Sequence, residues 1–317
     1  MRPLDVDALL DIAVPLGYSR VGYRLRSRRW RDARLGRLDG KVALVTGATS
    51  GIGLATCEAL ASLGATLWLA ARSEERGERA RGLVQRRARG GDVHLVLADM
   101  SSLQSVRQLG ARFGEHGSLD LLVNNAAVLM RERELSRDGI ELTFATNVLG
   151  PFLLTHLLRP ALARGEPGRV VDVTSGGMYA QRLTVDDLQS ERGRYRGAVA
   201  YARSKRAQVV LAGMWAQRRG EVGVTVNAMH PGWVDTPGLR ASLPTFHRLA
   251  GPLLRTPEQG ADTIVWLCAA SEPAAISGRL WHDRRERPMY RLPRTRESGE
   301  ERERLWSACA SLAGVGA

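Results

Sequence analysis

From Lys41 onward, short unbroken apolar runs alternate with longer helix-like stretches, and this alternation constrains the fold more than any other feature of the chain. VALVT (42–46), ATLWLAA (65–71), DVHLVLAD (92–99), LDLLVNNA (119–126), RVVDVTS (169–175) and VGVTVNAMHPG (222–232) read as strands, with SGRLW (277–281) as a shorter last one. They lack the polar–apolar alternation of a half-solvated strand, so both faces must be covered. Helices are expected in LATCEALASLG, over 74–89, 102–116, 138–160 and 198–219, and around 257–270. Right-handed crossovers between parallel strands then leave one topology: an α/β fold with a doubly wound, mostly parallel sheet in a single Rossmann-type domain.

TGATSGIG fills 46–53, between the first strand and the first helix. Gly47 permits a tight turn, Gly51 brings the backbone close to a pyrophosphate, and Gly53 lets helix and strand pack closely. The helix N-terminus then offers its free N–H groups to the phosphates. Thr49, Ser50 and Ile52 complete the turn and are expected cofactor contacts as well. At the end of the second strand a carboxylate commonly selects NAD, but here the strand ends Ala70-Ala71-Arg72. A guanidinium there pairs with a 2′-phosphate and points to NADP(H). Asp99 closes the third strand, where it is expected to bond the adenine amino group with Met100 beside the ring.

In YARSK, Tyr201 and Lys205 are four residues apart and share one helix face. A phenol is a weak acid–base group at neutral pH, and a nearby ammonium is expected to lower its pKa. Tyr201 then protonates a developing alkoxide or deprotonates an alcohol, while Lys205 holds a ribose. Ser175 ends the fifth strand, where ligand-facing side chains of such a sheet gather, and either orients the substrate oxygen or caps the turn before Gly176 and Gly177. Asn147 sits poorly in an apolar helix; it either relays protons from Lys205 through water or bonds the helix backbone.

Together these residues resemble the short-chain dehydrogenase/reductase family from Lys41 to about Trp281, with SGGM (175–178), VDDLQSE (185–191) and MHPGWVDTPG (229–238) similar to its retinol-dehydrogenase-like branch. The resemblance implies a catalytic tetrad of Asn147, Ser175, Tyr201 and Lys205. It implies that Asn125, with Ala126 and Ala127, steadies the central strand beside the cofactor. The loop carrying Pro231, Gly232, Val234 and Thr236 would close around the nicotinamide. Ala127 departs from the glycine often found there, by one methyl group.

Met130, Gly177, Met178, Tyr179 and Trp233 are expected to form the substrate wall, with 237–250 as a cover. Large apolar groups with few charges suit a lipophilic aldehyde, ketone or alcohol. The rival reading is a catalytically silent NADP-binding interaction protein, but an intact Ser–Tyr–Lys set would then have no use.

Residues 1–40 hold nine arginines and five aspartates and read as a basic extension with helices near 4–12 and 19–31, separable from the catalytic unit 41–282. Residues 283–317 read as an irregular connection followed by a helix that Ser298 caps with Glu301. The net charge of +13 comes almost wholly from arginine, Lys41 and Lys205 being the two lysines. No nucleic-acid recognition pattern accompanies it, so no specific nucleic acid is expected. Tyrosine, leucine and tryptophan among the arginines of 19–37 make peripheral membrane contact more credible than nucleic-acid binding, while a solvated strap over the fold is the preferred reading of this segment; a homo-oligomer is compatible. Cys57, Cys268 and Cys309 have neither pairing nor metal-like spacing, so no disulfide framework or metal site is expected. No secretory signal or transmembrane run is recognised, and the expected location is cytoplasmic.

Overall fold

The apolar runs become seven parallel strands: β1 (Val42–Thr46), β2 (Thr66–Ala71), β3 (Val93–Leu97), β4 (Leu121–Asn124), β5 (Arg169–Val173), β6 (Thr225–Met229) and β7 (Leu280–His282). The computed structural model describes residues 7, 10, 11, 13–30, 35–115, 117, 119–164, 168–218 and 223–316. Among these, an eighth strand, β8 (Arg285–Arg287), runs antiparallel to β7 in a stretch the sequence presents as irregular. The sheet order is β3-β2-β1-β4-β5-β6-β7-β8. The order reverses between β1 and β4, and a crevice must open there at the carboxyl ends of the strands.

Helices α1 (Val14–Gly17), α2 (Arg20–Ser27), α3 (Gly51–Ser62), α4 (Glu74–Gln85), α5 (Leu103–Glu115), α6 (Gly150–Leu162), α7 (Gly197–Gln217), α8 (Pro237–Ser242), α9 (Pro244–Ala250), α10 (Pro257–Ala269) and α11 (Gly299–Ala313) complete the order. Phe152 on α6, Trp215 on α7 and Trp306 on α11 pack on one face of the sheet, and Leu60 of α3 with Ile264 and Trp266 of α10 on the other. The Ser298–Glu301 capping box at α11 is formed as expected, and a second joins Thr256 to Gln259 at α10. The expected helix over 138–160 starts at Leu142 and opens into a π-helical turn at Ala145–Leu149 before α6. Pro151 has no N–H, so the Asn147 carbonyl lacks its usual α-helical donor and the turn widens.

The N-terminal segment departs most from expectation. Its helices are α1 and α2, whereas most of 4–12 lies outside the described residues. Its described residues are tied to the rest of the fold by a buried ion network. Arg26 is buried and meets Asp7 at 2.5 Å, Asp283 at 2.8 Å and Asp11 at 2.9 Å. Arg287 meets Asp7 and Asp11, and buried Arg255 meets Asp283 at 2.5 Å. Buried charges are tolerable only when paired and fully bonded, and this network ties residues from both ends of the chain. Arg26 and Asp283 lie 257 residues apart, so no local pattern announces it. At the other end Arg206 of α7 is buried on Glu297 at 3.1 Å, docking the tail. Among the described residues no helix is long and apolar enough to cross a membrane.

Candidate active site

A cleft of about 1020 Å³ opens over the carboxyl ends of the strands at the switch point. Its floor is the glycine turn. Gly47 has φ +65, and a Cβ on Gly53 would lie 2.3 Å from the Gly47 carbonyl, so neither position accepts a side chain without backbone movement. Asn125 fixes this turn from β4, its Nδ2 donating to the carbonyls of Thr46 (2.9 Å) and Gly47 (3.2 Å). Thr46 Oγ1 in turn accepts the N–H groups of Asn125 and Ala126. Gly51, Thr49, Ser50 and Ile52 line the cleft above α3, with Ala126 and Ala127 opposite.

Arg72 lies at one end, exposed, and Asp99 and Met100 lie beside it in the lining. Asp99 accepts from the N–H and hydroxyl of Ser101, which fixes its carboxylate. Arg76, also exposed and lining, is a second cation at this end that sequence reading missed. The signal was available: Ser73 caps α4 by accepting the Arg76 N–H, placing Arg76 on the first turn next to Arg72. A helix N-terminus with two guanidiniums suits a phosphate. The narrow glycine cradle and this cationic end together fit a phosphorylated dinucleotide.

Ser175, Tyr201 and Lys205 line the same cleft. Ser175 caps the turn, one of the two roles weighed for it. Its Oγ accepts the Gly177 N–H at 3.3 Å, capping the turn, and its hydroxyl also bonds the Tyr201 phenol. Tyr201 keeps part of its surface open to the cleft, yet burial pushes its phenol up to about 12, the Ser175 bond opposing. The expected depression by Lys205 does not operate in this arrangement. Lys205 Nζ instead donates to the Val173 carbonyl and to Gln208 Oε1, both at 2.8 Å. Burial pulls it down to about 7, with Asp172 opposing, and a neutralised amine exerts little pull on the phenol. Asp172 itself is pushed up to about 6 by burial, while Asn124 donates to it at 2.8 Å.

Asn147 is fully buried outside the lining residues. Its Oδ1 accepts the Val128 N–H at 2.8 Å, and its Nδ2 donates to the Val128 carbonyl and to Ser204 Oγ. The side chain therefore braces the β4 exit loop against α7 and has no bond to Lys205. Tyr195 also lies outside the lining; its hydroxyl donates to Glu141 at 2.9 Å. Pro231, Gly232, Val234 and Thr236 lie across the cleft from β4.

Of the expected substrate wall, Met130, Gly177 and Trp233 line the cleft. Met178 and Tyr179 do not. The turn after Ser175 carries them to the far side, where Met178 Sδ meets Arg206 and the Tyr179 hydroxyl donates to the Pro288 carbonyl at 2.7 Å. Leu129, Leu239, Leu243 and Phe246 take their place, the last three from the α8–α9 cover.

The family model described as short chain dehydrogenase matches residues 41–245. The chain belongs to this family. Membership makes it a nicotinamide-dependent oxidoreductase. Dehydrogenase/reductase SDR family member 12 of Bos taurus is 40% identical over 301 residues, 93% of this chain and 94% of that protein. Retinol dehydrogenase 12 of Homo sapiens is 36% identical over 282 residues, 88% of each chain. The RhlG/NADP active-site complex of Pseudomonas aeruginosa superposes with TM-score 0.64 at 26% identity, over 77% of this chain and 94% of that one.

Proposed function

We propose that this short-chain dehydrogenase uses NADP(H) to interconvert a lipophilic carbonyl and its alcohol, with Tyr201 as acid and base. One observation carries the reading: Ser175, Tyr201 and Lys205 face the same cleft as the glycine turn and the Arg72–Arg76 end. Bound there, NADPH supplies the hydride. Ser175 bonds the carbonyl oxygen, and the Tyr201 phenol gives that oxygen its proton; a phenol held protonated is the form that reduction requires. Lys205, which lines the same cleft, would hold the cofactor's ribose and would lower the phenol when charged. NADP in the RhlG complex supports the choice of cofactor.

A substrate region walled by Met130, Trp233, Leu239, Leu243 and Phe246 supports a lipophilic substrate, as does the retinol named for one relative. Exposed Leu16, Val21 and Leu25 beside Arg20 and Arg24 support peripheral contact with an anionic membrane surface. The test of the enzymatic reading is NADPH oxidation across lipophilic aldehydes and ketones, with folded Tyr201→Phe as control. Turnover that survives in the variant removes Tyr201 from the chemistry. Silence of the intact enzyme across a broad panel favours a binding protein instead.

A further inference from the structure

Residues Gly17–Ser19, where α1 gives way to α2, touch three parts of the active site. The Tyr18 carbonyl accepts the Trp233 N–H at 2.8 Å, and the Tyr18 and Trp233 rings stand perpendicular, 6.2 Å between centroids. Arg255 donates to the carbonyls of Gly17, Tyr18, Ser19 and Pro231, so one buried guanidinium holds the N-terminal segment and the cofactor-side loop in register. The Tyr18 ring is itself buried, 4.7 Å from the His230 ring, and closes over Gly176 beside Ser175. A Cβ on Gly176 would lie 2.3 Å from Tyr18 Cε2. Trp233, on the cleft side of this contact, packs edge-on against Phe246 of the cover at 5.2 Å.

We infer that Tyr18 is a positioning residue of the substrate site: it sets Trp233 and the Ser175–Gly176 turn, and the N-terminal segment thereby determines which lipophilic carbonyls the cleft accepts. Tyr18 touches no reacting atom and acts through these two neighbours. A wall held from behind by a buried ring and a backbone hydrogen bond is rigid, and rigid placement is what turns an apolar cleft into a selective one. The inference rests on the carbonyl-reductase reading for its kinetic consequence, but the clamp itself is a property of the fold.

The test compares Tyr18→Phe, Tyr18→Leu and Gly176→Ala with the full-length enzyme, using a homologous series of aliphatic aldehydes. Tyr18→Leu is expected to raise KM for the long members by about ten-fold and to flatten the preference between long and short ones. Tyr18→Phe keeps the ring and is expected to restore both. Simple loss of folded protein lowers kcat and leaves KM and the chain-length preference unchanged, and that pattern would overturn the inference. Gly176→Ala approaches the contact from the other side, so it should show the same loss of preference, partly relieved when combined with Tyr18→Leu. Hydrogen exchange over 229–236 reads the clamp without turnover. It should quicken in Tyr18→Leu while β1 and β4 exchange as before. If the wild type reduces no aldehyde, the function reading fails, and exchange alone decides the clamp. Unchanged exchange over 229–236 overturns it.

Discussion

Lys205 donates to the Val173 carbonyl at 2.8 Å, anchoring the α7 amine on the last residue of β5. Its burial depresses its pKa to about 7, well below the unfolded 10.5. Between these values the unfolded chain binds a proton that the folded one lacks, so this group makes stability rise with pH across that window. Lys205→Met is expected to remove that rise, on the order of a few kcal/mol between pH 7 and pH 10. Urea unfolding of wild type and variant at both ends of the window measures it. Parallel curves would show that Lys205 is not depressed.

Tyr201→Phe keeps the ring in its place and deletes the hydroxyl that Ser175 bonds. NADPH affinity should be nearly unchanged and hydride-transfer turnover should fall by about 10²-fold or more. Stopped-flow single turnover with a reducible aldehyde separates the two quantities.

Arg72 and Arg76 stand together at the phosphate end of the cleft. Replacing both with alanine should weaken NADPH by about ten-fold or more while leaving NADH nearly unaffected, since each charge-assisted bond contributes roughly 1.5–3 kcal/mol. Fluorescence titration with each reduced cofactor decides this, and equal losses for both cofactors would refute the assignment. Raised salt should narrow the wild-type preference, because both side chains are exposed.

The Arg206–Glu297 pair is buried completely and joins α7 to the tail before α11. Glu297→Gln leaves a guanidinium without its counter-charge and should destabilise the fold by about 3–5 kcal/mol. Arg206→Met leaves the carboxylate paired with Arg302 at 3.1 Å and should cost less, and the double change Arg206→Met/Glu297→Met should recover part of the loss caused by Glu297→Gln. Denaturant midpoints of the three variants measure the coupling.

Vesicle co-sedimentation probes the exposed face of the N-terminal helices. Val21→Ser with Leu25→Ser should reduce binding to anionic vesicles several-fold without altering thermal unfolding, because both side chains already face solvent. Binding that persists in this variant and disappears only with salt would assign the contact to arginine charge alone.

The strands, the doubly wound parallel sheet they build and the glycine turn were legible because each rests on a local pattern. Apolar runs bury both faces wherever they fold, Gly47 takes its left-handed φ from its own lack of Cβ, and Tyr201 and Lys205 share a face through helical spacing alone. Ser298 and Glu301 cap α11 within one turn for the same reason. What no local pattern encodes is which distant groups meet. The turn after Ser175 decides that Met178 and Tyr179 leave the cleft for Arg206 and Pro288. The tertiary structure alone decides that Lys205 lies among Val173, Gln208 and Asp172, where lost hydration outweighs nearby charge. It likewise turns arginines that read as solvated surface into a buried network, Arg26 and Arg255 both reaching Asp283. Burial and long-range pairing are properties of the packed chain: charge and spacing settle what a side chain can do, and the surrounding dielectric and partners settle what it does.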